Sequence, residues 1–156
     1  MKVSRDTPLS EITFRRYEKP SVSGRELVKK ICLSLGLLQP GDSRDVVVDV
    51  LQVLLAARKA KKRLSCTEIE LAVIQNRKRH KLELLGIASS NIRRQLRRIK
   101  EMMLIEKVGS GYRIVEFMAL ADIFEQKVER YLYQTARERI LEYLAKADED
   151  FGRKKA

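Results

Sequence analysis

The sequence has little of what most metalloproteins and enzymes need. Its 156 residues contain no tryptophan, a single histidine, His80, and two cysteines, Cys32 and Cys66. A structural zinc site takes four ligands, usually paired cysteines and histidines, and these residues are too few. A glycine-rich phosphate loop, a nucleophile elbow and a cysteine–histidine pair are also missing from the sequence. We therefore expect no metal, no cofactor and no enzymatic activity.

Long hydrophobic runs are absent as well. No stretch approaches the roughly 20 apolar residues that a membrane-spanning helix requires. Residues 1–8 carry charges early and lack the apolar centre of a secretory signal. We expect a cytoplasmic protein that does not interact with membranes, with Cys32 and Cys66 as buried thiols in a reducing compartment. A disulfide between them is the alternative.

Positive charge, in contrast, is abundant and unevenly distributed. The net charge is +12. Residues 58–113 hold 16 Lys or Arg against 5 Asp or Glu, a net of +11, whereas residues 116–150 hold 5 against 9, a net of −4. Positive surfaces attract nucleic acid or acidic lipid. The concentration of charge in the middle of the chain indicates where such a partner binds.

The first 42 residues read as an N-terminal arm and one helix. Residues 1–22 show no sustained period and contain Pro8 and Pro20. Ser23 and Glu26 have the spacing of a capping box, which predicts a helix that ends near Gly36.

Two further helices are predicted at residues 43–62 and from a second capping box, Ser65 with Glu68, to about residue 76. The basic run that follows, residues 77–81, either continues this helix or interrupts it. From this run we predict phosphate contacts by Arg77, Lys78 and Arg79, with a solvated block of charge as the alternative.

A strongly basic helix is predicted over residues 89–103, with Ser89 and Ser90 as N-cap residues. Its buried stripe is Ile92, Leu96, Ile99 and Met103. The other faces combine arginine, which can bind guanine or phosphate, with amides that can pair with adenine. Lys100 adds to the charge. The predicted DNA contacts from this helix are Ser90, Asn91, Arg93, Arg94, Gln95, Arg97 and Arg98.

A β-hairpin follows immediately. Residues 104–108 and 112–115 alternate in polarity, and Gly109-Ser110-Gly111 supplies a turn in which glycine adopts positive φ without steric cost. The hairpin contributes three predicted contacts, Lys107, Ser110 and Arg113.

The run SSNIRRQLRRIKEMMLIEKVGSGYRIV resembles the third helix and wing of winged helix-turn-helix transcriptional regulators. The resemblance covers about residues 43–115. It implies a mainly α fold with a three-helix core and a β-hairpin wing, the helix at 89–103 in the major groove and the wing at 107–113 near the minor groove or the backbone. Residues 77–88 depart from the pattern, because they make the connection before the third helix unusually long.

Residues 116–156 read as a C-terminal helical arm. No glycine or proline interrupts residues 116–148, and apolar side chains recur at heptad-like steps of three and four. We predict a homodimer in which the two copies of the helix at 89–103 are spaced by one turn of DNA or a multiple of it. A pairing within one chain is the alternative. The predicted dimer contacts are Phe117, Phe124, Val128, Tyr131, Ile140 and Leu144.

The sequence thus predicts three parts, 1–42, 43–115 and 116–156, and a dimeric regulator that binds double-stranded DNA. A non-specific chromatin-coating protein and a winged-helix module that binds protein or RNA in a larger assembly are the alternatives. The sequence does not identify the operator or a small-molecule effector, and it does not indicate whether the protein activates or represses transcription.

Overall fold

Helices make up most of the chain in the computed structural model, which describes residues 6–8 and 10–152. The chain divides into two compact units, Met1–Phe117 and Met118–Ala156. The elements of the first unit are α1 (Gly24–Ser34), α2 (Val46–Lys59), β1 (Leu64–Ser65), α3 (Cys66–Arg79), α4 (Ser89–Glu101), β2 (Ile105–Val108) and β3 (Gly111–Ile114). A short 3-10 turn, Val115–Phe117, ends it.

Helix α2 forms the centre of the first unit. Its sequence is apolar on almost every side, and it packs against α1, α3, α4 and β3. A helix that is hydrophobic all round is one that other elements enclose. This burial outweighs the preference of its five valines, at positions 46, 47, 48, 50 and 53, for extended structure. The N-terminal helix α1 therefore belongs to the same core as the later helices.

A three-stranded antiparallel sheet closes one side of this core. The strand order is β1-β3-β2, so the hairpin of β2 and β3 gains a third strand from the residues just before α3. The hairpin turn is Gly109-Ser110, with a φ of 62° at Gly109, as the sequence predicts. Gly111, which was predicted to lie in the turn, instead belongs to β3, where it pairs with Val108 and with Ser65. Strand β1 was not predicted from the sequence.

One of the two predicted capping boxes is confirmed. The Ser65 hydroxyl accepts a hydrogen bond from the Glu68 amide and the Glu68 carboxylate accepts one from the Ser65 amide, both at 3.2 Å. The hydrogen bond from the Ser65 backbone lowers the pKa of Glu68. The box predicted at Ser23 is wrong, since Ser23 makes no side-chain cap bond. Gly24 follows it with a φ of 59°, which removes the regular first turn that a capping box needs.

Helix α4 spans most of the predicted 89–103 but has different ends. Its N-cap is Ala88, so Ser89 and Ser90 lie inside the first turn and do not cap it. Ile92, Leu96 and Ile99 are fully buried, as the predicted stripe requires. The helix ends at Glu101, and Met103 has a φ of 65° outside it.

In the second unit, α5 (Leu120–Ile123), a π-helical segment (Phe124–Tyr133) and α6 (Gln134–Phe151) follow one another directly. The helix predicted from residue 116 begins four residues later, because Glu116 and Phe117 have φ values of 48° and 54°. In the described part of the chain, no helix combines the length and apolar character that crossing a membrane would require.

Candidate nucleic-acid interface

An open cleft of about 410 Å³ lies between α4, the hairpin and the start of α3. Four of its lining side chains are cations and none is an acid. The lining residues are Cys66, Arg93, Arg97, Lys100, Lys107, Ser110 and Tyr112. The charge that the sequence concentrates in residues 58–113 is thus gathered, in part, into one concave surface. A concave cationic surface concentrates field and attracts polyanions such as a phosphodiester backbone.

The spacing along α4 explains which of its arginines reach the cleft. Arg93, Arg97 and Lys100 are separated by four and three residues, so they lie on one face of the helix. All three are exposed, and their face is distinct from the buried stripe of α4. Lys100 was not among the predicted contacts. Ser90 and Arg94 are exposed as well but do not line the cleft.

Three other predicted contacts of α4 hold the helix in place. The Asn91 amide donates to the Gly86 carbonyl at 2.7 Å, and the Gln95 amide donates to Asn91 Oδ1 at 3.1 Å. Arg98 then donates to Gln95 Oε1 at 2.7 Å and to the Leu37 carbonyl at 2.9 Å. This chain of bonds ties α4 to the loops that precede α2 and α4. Asn91, Gln95 and Arg98 were predicted DNA contacts, and the structure shows that each of them makes hydrogen bonds within the protein that compete with such a contact.

Lys107 and Arg113, two of the predicted contacts of the hairpin, lie on its opposite faces. Lys107 and Tyr112 are cross-strand partners, and the Lys107 ammonium lies 5.7 Å from the Tyr112 ring centroid. They share the face of the buried Ile105 and Ile114 and extend it over the cleft. The alternation of β3 places Tyr112 on the same face as Ile114, but Tyr112 was not among the predicted contacts.

Arg113 lies on the opposite face of the hairpin and is engaged there. Its guanidinium forms an ion pair of 2.7 Å with Glu106, its cross-strand partner, and lies 5.0 Å from the Phe117 ring centroid. Arg113 was a predicted DNA contact, and the structure shows that its guanidinium is already paired with Glu106 on the face away from the cleft. Arg63 instead reaches the tip, where it donates to the Val108 carbonyl at 3.2 Å.

The predicted phosphate contact by Arg77 is wrong, because the side chain is buried. Arg77 is 3% exposed, and its Nη1 lies 3.0 Å from Asp45 and 2.8 Å from Asp49. Arg25 of α1 binds the same two carboxylates, at 3.0 Å each. We call Arg25, Asp45, Asp49 and Arg77 the buried ion cluster. Its formal charge is zero, so the cost of burying each ion is offset by its partners.

The buried ion cluster also positions the connection that precedes α4. Arg77 Nε donates to the Glu83 carbonyl at 2.7 Å, which holds the long segment between α3 and α4 against the core. Asn76 donates to Asp49 and to Gln52, both at 2.8 Å. The basic run therefore divides in two. Arg77 is structural, whereas Lys78 and Arg79 are exposed in the last turn of α3, outside the residues that line the cleft.

The predicted dimer contacts fall into three groups. Phe117 lies outside the helix, beneath Arg113. Val128 is fully buried in the single chain, and Phe124 is half-buried with its ring 5.4 Å from that of Tyr133. Ile123, the last residue of α5, and Val128 of the π-helical segment are both fully buried. They lie five residues apart, which matches a π-helical turn and not a heptad step. The exposed members of the set are Tyr131, Ile140 and Leu144.

Cys32 and Cys66 are free thiols in different surroundings. Cys32 is fully buried, and this burial raises the pKa of its thiol to about 12. Cys66 is partly exposed at the edge of the cleft, where its thiol lies 3.6 Å from Glu70. The expectation of a buried thiol therefore holds for Cys32 and is wrong for Cys66. Among residues 6–8 and 10–152, no three His, Cys, Asp or Glu side chains come together as a metal ion requires.

Comparison of the chain with models of protein families, with curated proteins and with solved structures finds no match. The functional interpretation therefore rests on the residues themselves.

Proposed function

We propose that residues 43–115 form a winged helix-turn-helix domain that binds double-stranded DNA, with α4 in the major groove and the β2–β3 hairpin as the wing. The observation that carries the proposal is the cleft, because Arg93, Arg97 and Lys100 of α4 and Lys107 of the hairpin line it together and none of the lining residues is acidic. Glu70 lies beside Cys66, just outside this lining. Such a surface neutralises phosphates on one strand while an exposed helix faces the groove.

The way α4 is held supports the same proposal. Its buried stripe packs against α2, and the bonds of Asn91 and Arg98 anchor both ends of its inner side to loops. A recognition element works best on a rigid support, since a mobile helix would lose entropy on binding. The exposed face of α4 is therefore preorganised for a partner.

A small number of side chains determines whether the protein contacts DNA bases or only the phosphate backbone. With Asn91 and Gln95 engaged internally, the exposed candidates for base contacts on α4 are Ser90, Arg93, Arg94 and Arg97. Because these two side-chain amides are hydrogen-bonded within the protein, binding to the DNA backbone is more strongly favoured over base recognition than the sequence alone predicts. We therefore retain a non-specific DNA-coating protein as the second candidate, and a homodimer through the C-terminal helix as part of both.

Variants of Arg97 separate the two candidates. Duplexes selected from a random pool would first define any preferred site. If Arg97 bonds a guanine with two hydrogen bonds, Arg97→Ala should cost about 1–3 kcal/mol on that site and relax the preference at one base pair. Arg97→Lys keeps the charge but not the paired geometry, so it should lose the preference and retain most non-specific affinity.

The matched control is Arg130→Ala, which removes the same charge from an exposed position in the second unit. It should leave the binding preference unchanged. A loss for Arg97→Ala that is the same on all sequences, together with little loss on any sequence for Arg97→Lys, would favour backbone coating. Absence of duplex binding at low salt by the unaltered protein would refute both candidates.

A further inference from the structure

The tip of the hairpin has a cation that its own strands do not supply. Residues 108–111, at the turn and its two ends, are uncharged. The guanidinium at the tip belongs to Arg63, which precedes β1 and donates from Nη1 to the Val108 carbonyl at 3.2 Å. Arg63 is exposed, and among the residues that the structure describes it forms no ion pair. Its charge is therefore left for a partner to neutralise.

Arg63 lies on the outer face of the sheet, opposite to the cleft. The next residue, Leu64, is buried and pairs with Tyr112 on the cleft face, so the alternation of the chain directs Arg63 the other way. Of the strand residues on the outer face, Glu106 is the one acid, and Arg113 already pairs with it at 2.7 Å. Arg63 is thus the excess positive charge of this face.

Gly111 makes room for the Arg63 side chain. The φ of Gly111 lies outside the left-handed region, so the backbone conformation does not require glycine there. A Cβ added at Gly111 would lie 3.0 Å from the Cβ of Arg63, closer than the roughly 3.5–4.0 Å at which carbon atoms pack best. A larger residue would therefore crowd the path by which the guanidinium reaches Val108.

The backbone on either side of Arg63 is fixed. Before it, α2 ends in a Schellman motif. The Lys61 amide donates to the Arg58 carbonyl at 3.0 Å, and the next amide donates to the Ala57 carbonyl at 3.1 Å. After it, β1 pairs with β3. A side chain that extends from an ordered backbone loses less entropy on binding, so Arg63 is preorganised at the tip.

The residues that lead to Arg63 add to the positive charge. Residues 58–63 hold five Lys or Arg and no acid, a net of +5. The neighbouring acid Glu68 lies 3.8 Å from Lys62, in an ion pair that is exposed on both sides. Such a concentration of one charge attracts a polyanion, and the phosphodiester backbone is one with closely spaced charges.

We propose that Arg63 is a phosphate-binding residue of the wing, so that the hairpin contacts the DNA backbone with both faces, through Lys107 on the cleft face and Arg63 on the outer face. The inference rests on the proposed function and deepens it, because it adds a backbone contact outside the cleft. The bond to Val108 uses one N–H group of the guanidinium and leaves the others for phosphate oxygens. All of these residues belong to the first unit.

The salt dependence of duplex binding by the full chain tests this contact. Arg63→Ala and Lys107→Ala should each make the slope of log K against log salt shallower by about one, and the double variant should lose about two, because the contacts are independent. Arg63→Lys keeps the charge and should keep the slope of the unaltered protein. Arg130→Ala removes an exposed arginine of the second unit and is the charge-matched control, which should not change the slope.

An unchanged slope for Arg63→Ala, on a duplex that the unaltered protein binds, would overturn this inference and leave the cleft as the binding surface. Equal losses of affinity for Arg63→Ala and Arg63→Lys would show that Arg63 only supports the hairpin, which also overturns it. A double variant with the slope of Lys107→Ala alone would mean that both cations bind one phosphate and would contradict contact by both faces. Absence of duplex binding by the unaltered protein would refute the proposed function, and this inference with it.

Gly111→Ala gives a second reading, because it leaves every charge in place. The added methyl group should displace the Arg63 side chain and make the slope shallower, towards that of Arg63→Ala. In the Arg63→Ala background it should have no further effect on the slope. Equal losses in both backgrounds would show that the glycine acts on the sheet itself and would contradict the placement of Arg63 through Gly111.

Discussion

Replacing Asp49 by alanine should destabilise the first unit severely. Asp49 is 0% exposed and accepts hydrogen bonds from Arg25, Asn76 and Arg77 at 2.8–3.1 Å. Its removal leaves two buried guanidinium groups with Asp45 as their remaining carboxylate in the cluster. Breaking a buried ion pair in this way costs about 3–5 kcal/mol. Domains of this kind are typically stable by about 5–15 kcal/mol, so a large share of the total would be lost.

The assay is urea denaturation, with the free energy of unfolding extrapolated at constant slope. The matched control is Glu18→Ala, which removes a carboxylate from the ion pair with Lys30, where the side chains are 65% and 47% exposed. That variant should cost about 0–1 kcal/mol. A loss for Asp49→Ala within about 1 kcal/mol of the control would refute the structural role assigned to the buried ion cluster.

Two further predictions concern titratable groups. Burial opposes ionisation of Asp45, but hydrogen bonds and charges from Arg77 and Arg25 outweigh it and hold the pKa of Asp45 below its usual value. Ionised Asp45 therefore stabilises the fold fully above the ordinary aspartate pKa of about 3.9, and this stabilisation is lost as the pH falls through the lowered pKa. In an acid titration of the free energy of unfolding, Asp45→Asn should reduce this decline. In the folded protein a thiol reagent should label Cys66 but not Cys32, and a bulky label at Cys66 should block DNA binding; rapid labelling of Cys32 without unfolding would contradict its burial.

The periodic elements of the fold could be predicted from the sequence, because their signals are local. The stripe of Ile92, Leu96 and Ile99 and the Gly109 turn are confirmed. Helix ends were harder to predict. Lys61, Lys81 and Met103 adopt positive φ just after α2, α3 and α4, at positions where glycine is the usual signal. The two-residue strand β1 has no periodicity of its own and exists through its pairing with β3.

The candidate site was predicted in outline and corrected in detail. The sequence concentrates arginine on α4, but it does not distinguish an arginine that faces solvent from one that meets a buried carboxylate. Arg77 differs from Arg79 because Asp45 and Asp49, about 30 residues earlier, lie beside it in the fold. Arg98 likewise finds the Leu37 carbonyl. Such long-range partners are set by tertiary packing, which helical periodicity does not encode.

The salt dependence of duplex binding is the measurement that tests the central proposal most directly. Binding is measured by fluorescence anisotropy with a random-sequence duplex. Each phosphate contact contributes about −0.9 to the slope of log K against log salt. We predict a steep negative slope that becomes shallower by about one for each of Arg93→Ala, Lys100→Ala and Lys107→Ala, and stays unchanged for Arg130→Ala. No binding at low salt, or the same slope for all four variants, would contradict the assignment of the cleft as the DNA-binding surface.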